Sequence, residues 1–367
     1  MRYPAMNVGR LGALASALVV LLFAVPEVGY ARAPCSAANP NDNISDDAAP
    51  NACFAGGGTV NLVTGSPGYI VQSGLYINNS VIVDGSATGA RLNAHSSLNG
   101  PILRVGFNSS YVPTSPVPSN ITLTRIILDG NRYNRSTSIC ASPSNNRSGY
   151  NLMIKASNFS IDTVYSVLAL CGTAAEVVGT DFEIVNSVFN SNHGDGLTVV
   201  ECNNGVIEDN GIFDNEDVGL AVGIGTGTCS VRRNNIYQAT VHAHAGLLVG
   251  FHSGAVVWDN SITSGYNLMK VGIVVGGHIW NGGSATFGAG DIQYNYVSGA
   301  VVLGVIDGIS SGTFTNNIPG TAQGTTFFSN CASWYNLVYI VNTSHIGSAT
   351  IQPGYNVRNL DSCYPPP

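Results

Sequence analysis

The sequence is poor in charge, and above all in lysine. Only 10% of its 367 residues are charged, and Lys155 and Lys270 are the only lysines, whereas about 25% charge is usual in globular proteins. A nucleic-acid-binding surface needs many cations to neutralise phosphates, so we expect no nucleic-acid partner. Long surface helices, which depend on many lysines and glutamates, are excluded by the same shortage.

Long apolar runs are absent beyond the N terminus. Met1–Arg10 carries two arginines, Leu11–Val25 is apolar and uncharged, and Ala31-Arg32-Ala33 is a small-x-small cleavage signal. This order predicts a secretory signal peptide over residues 1–33. A membrane anchor is the alternative, but the apolar run is shorter than the ~20 residues that span a bilayer. We therefore expect a secreted protein, extracellular or periplasmic, without a membrane partner.

What the sequence does contain is glycine, with 44 residues, and two short patterns that alternate through its second half. The first is Asn-x-Ile/Val, which begins at Asn186, Asn210, Asn234, Asn260, Asn295 and Asn316. The second is a glycine followed by alternating apolar residues, at Gly196, Gly219, Gly246 and Gly272, with a looser copy at Gly304. The asparagines step by 24, 24, 26, 35 and 21 residues. The long step coincides with a Gly-rich insertion, Gly276–Gly290.

Repeats this short cannot each bury their own apolar face, so they must stack. The spacing predicts an all-β fold, a right-handed parallel β-helix in which each turn supplies three short strands. Asparagine suits the tight turns between strands and would stack into a ladder. The sequence lacks the Leu-x-x-Leu-x-Leu framework of a leucine-rich repeat. Its repeat is also too short for a propeller, which needs about 40–50 residues.

The first half is less regular but shows alternating, strand-like pieces. These are Thr59–Leu62, Ser80–Val83, Ile102–Val105, Ile121–Thr124 and Ile126–Asn131. Open strand edges at the ends of a solenoid need caps. We predict an N-terminal cap over residues 34–55, the β-helix over 56–324 and a C-terminal cap over 325–367.

All eight cysteines follow the predicted signal peptide, and none forms a CxxC pair, which argues against a zinc site. An even number in an exported chain predicts disulfides. Cys202 and Cys229 lie 27 residues apart, about one coil, so they could bridge adjacent turns. Although the connectivity does not follow from sequence alone, we favour pairing between neighbouring cysteines.

Several segments together resemble the opening of the pectin-lyase-like β-helix superfamily. They are Asp46-Asp47-Ala48-Ala49, Gly56-Gly57-Gly58-Thr59-Val60, Gly68-Tyr69-Ile70-Val71 and Val81-Ile82-Val83-Asp84-Gly85. The resemblance implies the β-helix fold. It does not fix an activity, because the superfamily contains lyases, glycoside hydrolases, epimerases and adhesins.

A narrower likeness is to the active-site coils of polygalacturonases. Asn192-His193-Gly194-Asp195-Gly196, then Glu216-Asp217, then His244-Ala245-Gly246 are similar to that family's Asn-Thr-Asp-Gly, Asp-Asp and Gly-His-Gly coils. The resemblance implies that Asp195, Glu216, Asp217 and His244 are catalytic. The chain departs from the pattern at Val218 and Ala245, and Lys270 alone lies in the next coil, without an Arg-Ile-Lys motif.

Counting back from each repeat glycine places seven ionisable groups on one edge of four turns. They are His193, Asp195, Glu216, Asp217, His242, His244 and Lys270. Carboxylates one coil apart would lie about 5 Å from each other, and crowding raises the pKa of one of them. Paired carboxylates at such spacings hydrolyse glycosidic bonds. We predict that Asp195 is the acid, that Asp217 or Glu216 activates water, and that His244 tunes the acid or binds substrate. Turn capping is the alternative role for these acids.

Other residues could widen the groove. Glu201, His252 and His278 follow the apolar run in three coils, and with His193, His242 and Lys270 they are predicted to bind substrate. Trp258 and Trp280 could stack on sugar rings. Arg132, Arg135, Arg147 and Lys155 gather cations around the loop Asn131–Asn151, which could bind an acidic glycan or simply be solvated.

The sequence therefore predicts a secreted, monomeric enzyme that hydrolyses a polysaccharide by carboxylate acid/base catalysis. A polysaccharide lyase or uronate epimerase is one alternative, with Lys270 as the base. A non-catalytic surface or adhesion β-helix is the other. We expect no cofactor, although Asp195, Glu216 and Asp217 together could hold Ca²⁺.

Overall fold

Short β-strands make up most of the described chain. The computed structural model describes residues 38–140, 147–250, 253–265, 268–276, 288–320, 334–341 and 346–359. One α-helix, α1 (Ala48–Ala55), comes first. The strands are β1 (Gly58–Asn61), β2 (Tyr69–Val71), β3 (Leu75–Ile77), β4 (Val81–Asp84), β5 (Ala90–Ala94), β6 (Leu103–Val105), β7 (Ser119–Thr124), β8 (Ile126–Asp129), β9 (Leu152–Asp162), β10 (Tyr165–Val167), β11 (Ala175–Val185), β12 (Val188–Asn190), β13 (Leu197–Glu208), β14 (Gly211–Phe213), β15 (Val218–Ile224), β16 (Cys229–Arg232), β17 (Asn235–Gln238), β18 (Ala243–Val249), β19 (Ala255–Trp258), β20 (Ser261–Ser264), β21 (Met269–Val275), β22 (Gly288–Gln293), β23 (Tyr296–Ser298), β24 (Ala300–Ile306), β25 (Ile309–Thr315), β26 (Ile318–Pro319), β27 (Trp334–Ile340), β28 (Thr350–Ile351) and β29 (Asn356–Asn359). Two 3₁₀ turns, Arg132–Asn134 and Thr137–Cys140, follow β8.

Each strand pairs in parallel with its counterpart in the next coil. A 10-stranded sheet holds one strand of each coil, and a 19-stranded sheet holds the others. In β9, β11 and β13 the two segments of the larger sheet form one continuous strand, whereas β15 and β16 separate them again. This arrangement is a parallel β-helix, which confirms the predicted fold.

The core consists of stacked columns of inward-facing apolar residues. Leu197, Leu220, Leu247 and Ile273 are in register on four successive coils, and all are fully buried. The glycine pattern that precedes them is therefore confirmed from Gly196 to Gly272. The predicted copy at Gly304 was wrong, because Gly304 itself pairs with Ile273. All seven residues of β24 are buried, so its sequence has no polar position that reveals the register.

The asparagine ladder is present and buried. The side-chain amide of Asn210 donates to Oδ1 of Asn234 at 2.9 Å, and the same contact repeats along Asn260, Asn295 and Asn317 at 2.8–2.9 Å. At its two ends the predicted register was wrong by one residue. Ser187 and Asn317 occupy the equivalent positions, while Asn186 and Asn316 adopt left-handed backbone conformations, with φ of 52° and 55°. Asparagine suits both positions, so the motif could not distinguish them.

Two disulfides and the terminal elements complete the described fold. Cys140–Cys171 and Cys202–Cys229 are bonded, which confirms neighbour pairing for these four cysteines. α1 begins after Asp47, and β27–β29 continue the parallel pairing after residue 325. The signal peptide, Cys35, Cys331, Cys363 and most of the Gly-rich insertion lie outside the described residues. Among the residues described, no helix is both long and apolar enough to cross a membrane.

Candidate active site

Three predicted site residues form a column where β15, β18 and β21 begin. Val218, Ala245 and Val271 are in register on these strands, so the residues just before them, Asp217, His244 and Lys270, also stack coil on coil. The backbone N–H of His244 donates to the carbonyl oxygen of Asp217 at 2.7 Å. Neighbouring coils are about 4.8 Å apart, which places an acid, an imidazole and an ammonium group next to one another.

Asp195 lies beside this column, at the start of β13. Register aligns it with Val218 of the next coil, one position along from Asp217. Its Oδ1 accepts a hydrogen bond from the backbone N–H of Val218 at 3.1 Å, and its Oδ2 accepts one from Oγ1 of Thr198 at 2.6 Å. The two hydrogen bonds fix the carboxyl group of Asp195 in the same neighbourhood as Asp217.

The electrostatics of the two carboxyl groups differ. Burial, together with the nearby charge of Asp217, raises the pKa of Asp195 to about 6, although the hydrogen bonds from Thr198 and Val218 oppose the shift. Burial also raises the pKa of Asp217, and there the charge of Lys270 opposes it. Burial in low dielectric disfavours the charged form of each acid, and Lys270 restores part of that loss for Asp217 alone. The site therefore raises the pKa of Asp195 through burial and a neighbouring carboxylate, and gives Asp217 a cation that favours its ionised form.

His244 is neutral at physiological pH. Burial, and then the positive charge of Lys270, lower its pKa to about 4. A neutral imidazole carries one donor and one acceptor nitrogen. His244 can therefore orient a hydroxyl group or accept a proton, but it does not add a second cation to the site.

Asp195→Asn is expected to stabilise the fold at neutral pH but not in acid. The folded-state pKa of about 6 lies above the ordinary 3.8, so the folded state holds the proton more tightly, and stability falls as the pH rises from about 4 through 6. The variant lacks this ionisation. Its free energy of unfolding, relative to wild type, should be about 3 kcal/mol higher above neutral pH than in acid, as measured by urea denaturation at both pH values.

The matched control is Asp259→Asn, which makes the same change at an exposed turn. This variant should follow the wild-type pH dependence. A stability difference for Asp195→Asn that does not change with pH would contradict the raised pKa of Asp195.

The side chain of Glu216 has different partners from that of its neighbour Asp217. Nη2 of Arg132 forms an ion pair with Oε1 of Glu216, and Nδ1 of His193 lies 3.9 Å from Oε2. His193 is half exposed and His242 is exposed. The structure thus separates the two adjacent acids that the sequence left as equivalent candidates for the base.

The loop after β8 delivers its arginines to this edge. Arg132 reaches Glu216, and Nη2 of Arg147 lies 3.0 Å from Oε1 of the buried Glu176. Arg135 is buried and donates to the carbonyl oxygens of Leu98, Gly130 and Ser148 at 2.7–3.3 Å. Lys155 lies instead on β9, in register with Val178. Two of the four predicted cations therefore pair with carboxylates, and one anchors the loop.

Sequence reasoning missed Tyr150, Glu176 and Thr198. Burial raises the pKa of Tyr150, and the charges of Glu176 and Asp195 add to the shift, so this phenol lies close to both acids. Glu176 and Thr198 are in register on adjacent coils. Counting back from the repeat glycine could not find them, because Glu176 and Thr198 follow the glycine position and Tyr150 comes from an irregular loop.

The other predicted residues lie elsewhere. Glu201 pairs with Ile224, the last residue of β15, so it lies at the opposite end of the strand from Asp217 and accepts from Nδ2 of Asn203 at 2.9 Å. Trp258 lies on β19, with the guanidinium of Arg232 5.8 Å from its ring centre. His252, His278 and Trp280 lie outside the described residues.

The predicted calcium trio does not fit a calcium site. Both oxygens of Asp195 already accept hydrogen bonds, and Glu216 is paired with Arg132. Ca²⁺ needs six to eight oxygen ligands that are free to face it. Across the described part of the chain, no group of three or more His, Cys, Asp or Glu residues could hold a metal ion.

A groove of about 610 Å³ lies on another part of the larger sheet, away from these acids. Its walls are formed by exposed polar residues at the turns and by the outer face of β4, β7, β9, β11 and β13, including Asn120, Asn158, Asp181, Glu183 and Asn204. It contains none of the clustered groups around Asp195. Volume alone therefore does not mark the candidate site, whereas the clustered ionisable groups do.

No protein-family model and no curated protein matches the chain. Among solved structures, it is similar to the A-module of the mannuronan C-5 epimerase AlgE4 of Azotobacter vinelandii, with a TM-score of 0.44 and 15% identity, covering 86% of this chain and 98% of that one. A hyperthermoactive exopolygalacturonase from Thermotoga maritima gives a TM-score of 0.49 and 11% identity, covering 88% and 90%. The tailspike protein of E. coli bacteriophage HK620, solved with a pentasaccharide, gives 0.49 and 12%, covering 88% and 64%. At identities this low, the similarity concerns the fold alone.

Proposed function

We propose that the protein is a carbohydrate-active enzyme that hydrolyses glycosidic bonds of a polysaccharide at Asp195 and Asp217. One observation carries this proposal. Two carboxyl groups on adjacent coils share a partly buried site, where burial and the charge of Asp217 raise the pKa of Asp195 to about 6 and Lys270 favours the ionised form of Asp217. A proton donor beside a carboxylate base or nucleophile is the pair that glycoside hydrolysis requires.

The roles follow from the contacts of each group. Asp195 protonates the leaving oxygen, and Asp217, whose ionised form is favoured by Lys270, activates water or attacks the sugar. Neutral His244 and cationic Lys270 bind substrate beside the acids. Glu216, which Arg132 engages, holds the loop after β8 against the site and takes no part in proton transfer.

The pH profile is the first expected consequence. Because Asp195 must be protonated, activity should fall above its pKa of about 6. Because Asp217 must be ionised, activity should also fall below the raised pKa of that group. Turnover should therefore follow a bell-shaped curve with an acidic optimum, measured as reducing ends released at constant ionic strength. An optimum at alkaline pH would contradict these assignments.

A lyase or uronate epimerase is the second candidate, and His244 favours it. Since its pKa is lowered to about 4, the imidazole is already an unprotonated base at neutral pH, and Lys270 lies in register beside it. Abstraction of the proton α to a uronate carboxylate needs such a base. This reaction would retain its activity above pH 6, where the hydrolase loses it.

A panel of neutral and acidic polysaccharides, assayed for three products, tests the proposal. Hydrolysis releases reducing ends without ultraviolet absorbance, a lyase also makes unsaturated, absorbing ends, and an epimerase changes the uronate composition without cleavage. Reducing ends alone are the expected result. No product from any polysaccharide would favour the non-catalytic, adhesive β-helix.

Export is part of the same proposal. The two described disulfides, Cys140–Cys171 and Cys202–Cys229, are of a kind that persists in oxidising compartments. We propose a secreted monomer that meets its polysaccharide in the extracellular space or the periplasm. Size-exclusion chromatography with light scattering measures the molar mass in solution and so tests whether the protein is a monomer.

A further inference from the structure

The two carboxyl oxygens of Asp195 have partners of different kinds. Oδ1 faces the backbone N–H of Val218 at 3.1 Å, and Oδ2 faces the hydroxyl of Thr198 at 2.6 Å. A backbone N–H only donates, whereas a hydroxyl donates and accepts. When Asp195 takes up a proton, Oδ1 must keep a lone pair toward Val218. Oδ2 is the oxygen whose partner can turn from donor to acceptor.

We infer that Thr198 is a positioning residue that holds the dissociable proton of Asp195 on Oδ2. The inference rests on the proposed function, in which Asp195 is the general acid. Thr198 donates to the ionised acid and accepts from the protonated acid, so the contact persists in both states but is stronger with the charged carboxylate. The proton therefore leaves from, and returns to, one fixed oxygen.

The backbone makes Thr198 suitable for this role. It lies on β13 between Glu176 of β11 and Ala221 of β15, with which it is in register. Pairing on both sides fixes the position of its Cα, and the branched side chain restricts χ1 to few rotamers. The hydroxyl is thus held near Asp195 by the sheet.

Two titratable groups interact electrostatically with Asp195: Asp217, which precedes β15, and Tyr150, from the loop before β9. Glu176 of β11 and Arg147 form an ion pair, and both interact with Tyr150. Lys270 lies three coils away, beside His244. Replacing Thr198 changes none of these groups, so a change in the titration of Asp195 reports on the hydroxyl itself.

Thr198→Val tests the inference, with Thr198→Ser as its control. Valine keeps the branched shape but lacks the hydrogen bond that stabilises the ionised acid. The titration midpoint of the Asp195 carboxyl group should therefore rise by about one pH unit, as measured by ¹³C-carboxyl NMR of aspartate-labelled full-length protein. The alkaline limb of the pH–activity profile should move to higher pH by the same amount. Serine keeps the hydroxyl, so its midpoint should stay near that of wild type.

An unchanged midpoint in Thr198→Val would overturn the inference. So would an equal shift in Thr198→Ser, because the methyl group rather than the hydroxyl would then be responsible. The proposed function fails separately. If the expected NMR shifts occur but no polysaccharide is cleaved, the contact between Thr198 and Asp195 stands and the hydrolase does not.

Discussion

Asp195→Asn should lower turnover by about a thousandfold while leaving the fold intact. Asparagine has nearly the same shape, and it keeps an oxygen toward Val218 and an amide toward Thr198, the two partners of the carboxyl group. It cannot protonate a leaving oxygen, and general acid catalysis supplies factors of about 10²–10⁴. The measurement is kcat on the polysaccharide that gives the strongest signal in the panel, with circular dichroism to verify folding.

Asp259→Asn is again the control, since it removes one carboxylate from an exposed turn on another coil. Its kcat should equal that of wild type. Substrates with a good leaving group, such as aryl glycosides, need less protonation, so they should recover part of the rate in Asp195→Asn. Full activity of Asp195→Asn on the polysaccharide itself would exclude Asp195 as the acid.

Asn260→Ala should cost about 3–5 kcal/mol of stability, because this buried side chain makes hydrogen bonds to both of its neighbours in the ladder. Oδ1 of Asn260 accepts from both the backbone and the side chain of Asn234, at 3.0 and 2.9 Å. Its amide donates to the carbonyl of Val231 and to Oδ1 of Asn295, at 3.0 and 2.8 Å. Alanine leaves these buried groups without partners, at about 1–3 kcal/mol for each one that water cannot reach. Urea denaturation followed by circular dichroism measures the loss.

Asn235→Ala is the matched control for the ladder. Asn235 is an exposed residue one position after the ladder residue Asn234, so its loss should cost about 0.5 kcal/mol or less. Comparable losses in the two variants would show that the buried ladder contributes no more than an ordinary surface residue.

The repeat was readable in the sequence because its period and its burial pattern agree. Leu197, Leu220 and Leu247 each follow a glycine and each face the core, so the spacing of the motif is also the spacing of the coils. Where two adjacent residues fit the pattern equally well, the predicted register was wrong by one residue. Asn186 and Asn316 each have a neighbour that also suits the ladder, and β24 is buried at every position.

Only the part of the site that follows from the stacking of coils could be predicted. Asp217, His244 and Lys270 share a position in the repeat, so counting from the glycines placed them together. The different surroundings of Glu216 and Asp217 could not be foreseen, because Arg132 reaches Glu216 across 84 residues of sequence. A period of roughly 24 residues contains no information about where an irregular loop folds back.

By itself, the sequence determined the architecture, since a short repeat with alternating apolar residues can bury them only by stacking. It also determined which ionisable groups lie at one end of the strands of adjacent coils. The tertiary structure alone decided how strongly each acid holds its proton. The pKa of Asp195 depends on burial, on the charge of Asp217 and on the partners Thr198 and Val218, and these depend on distances in three dimensions that no spacing along the chain contains.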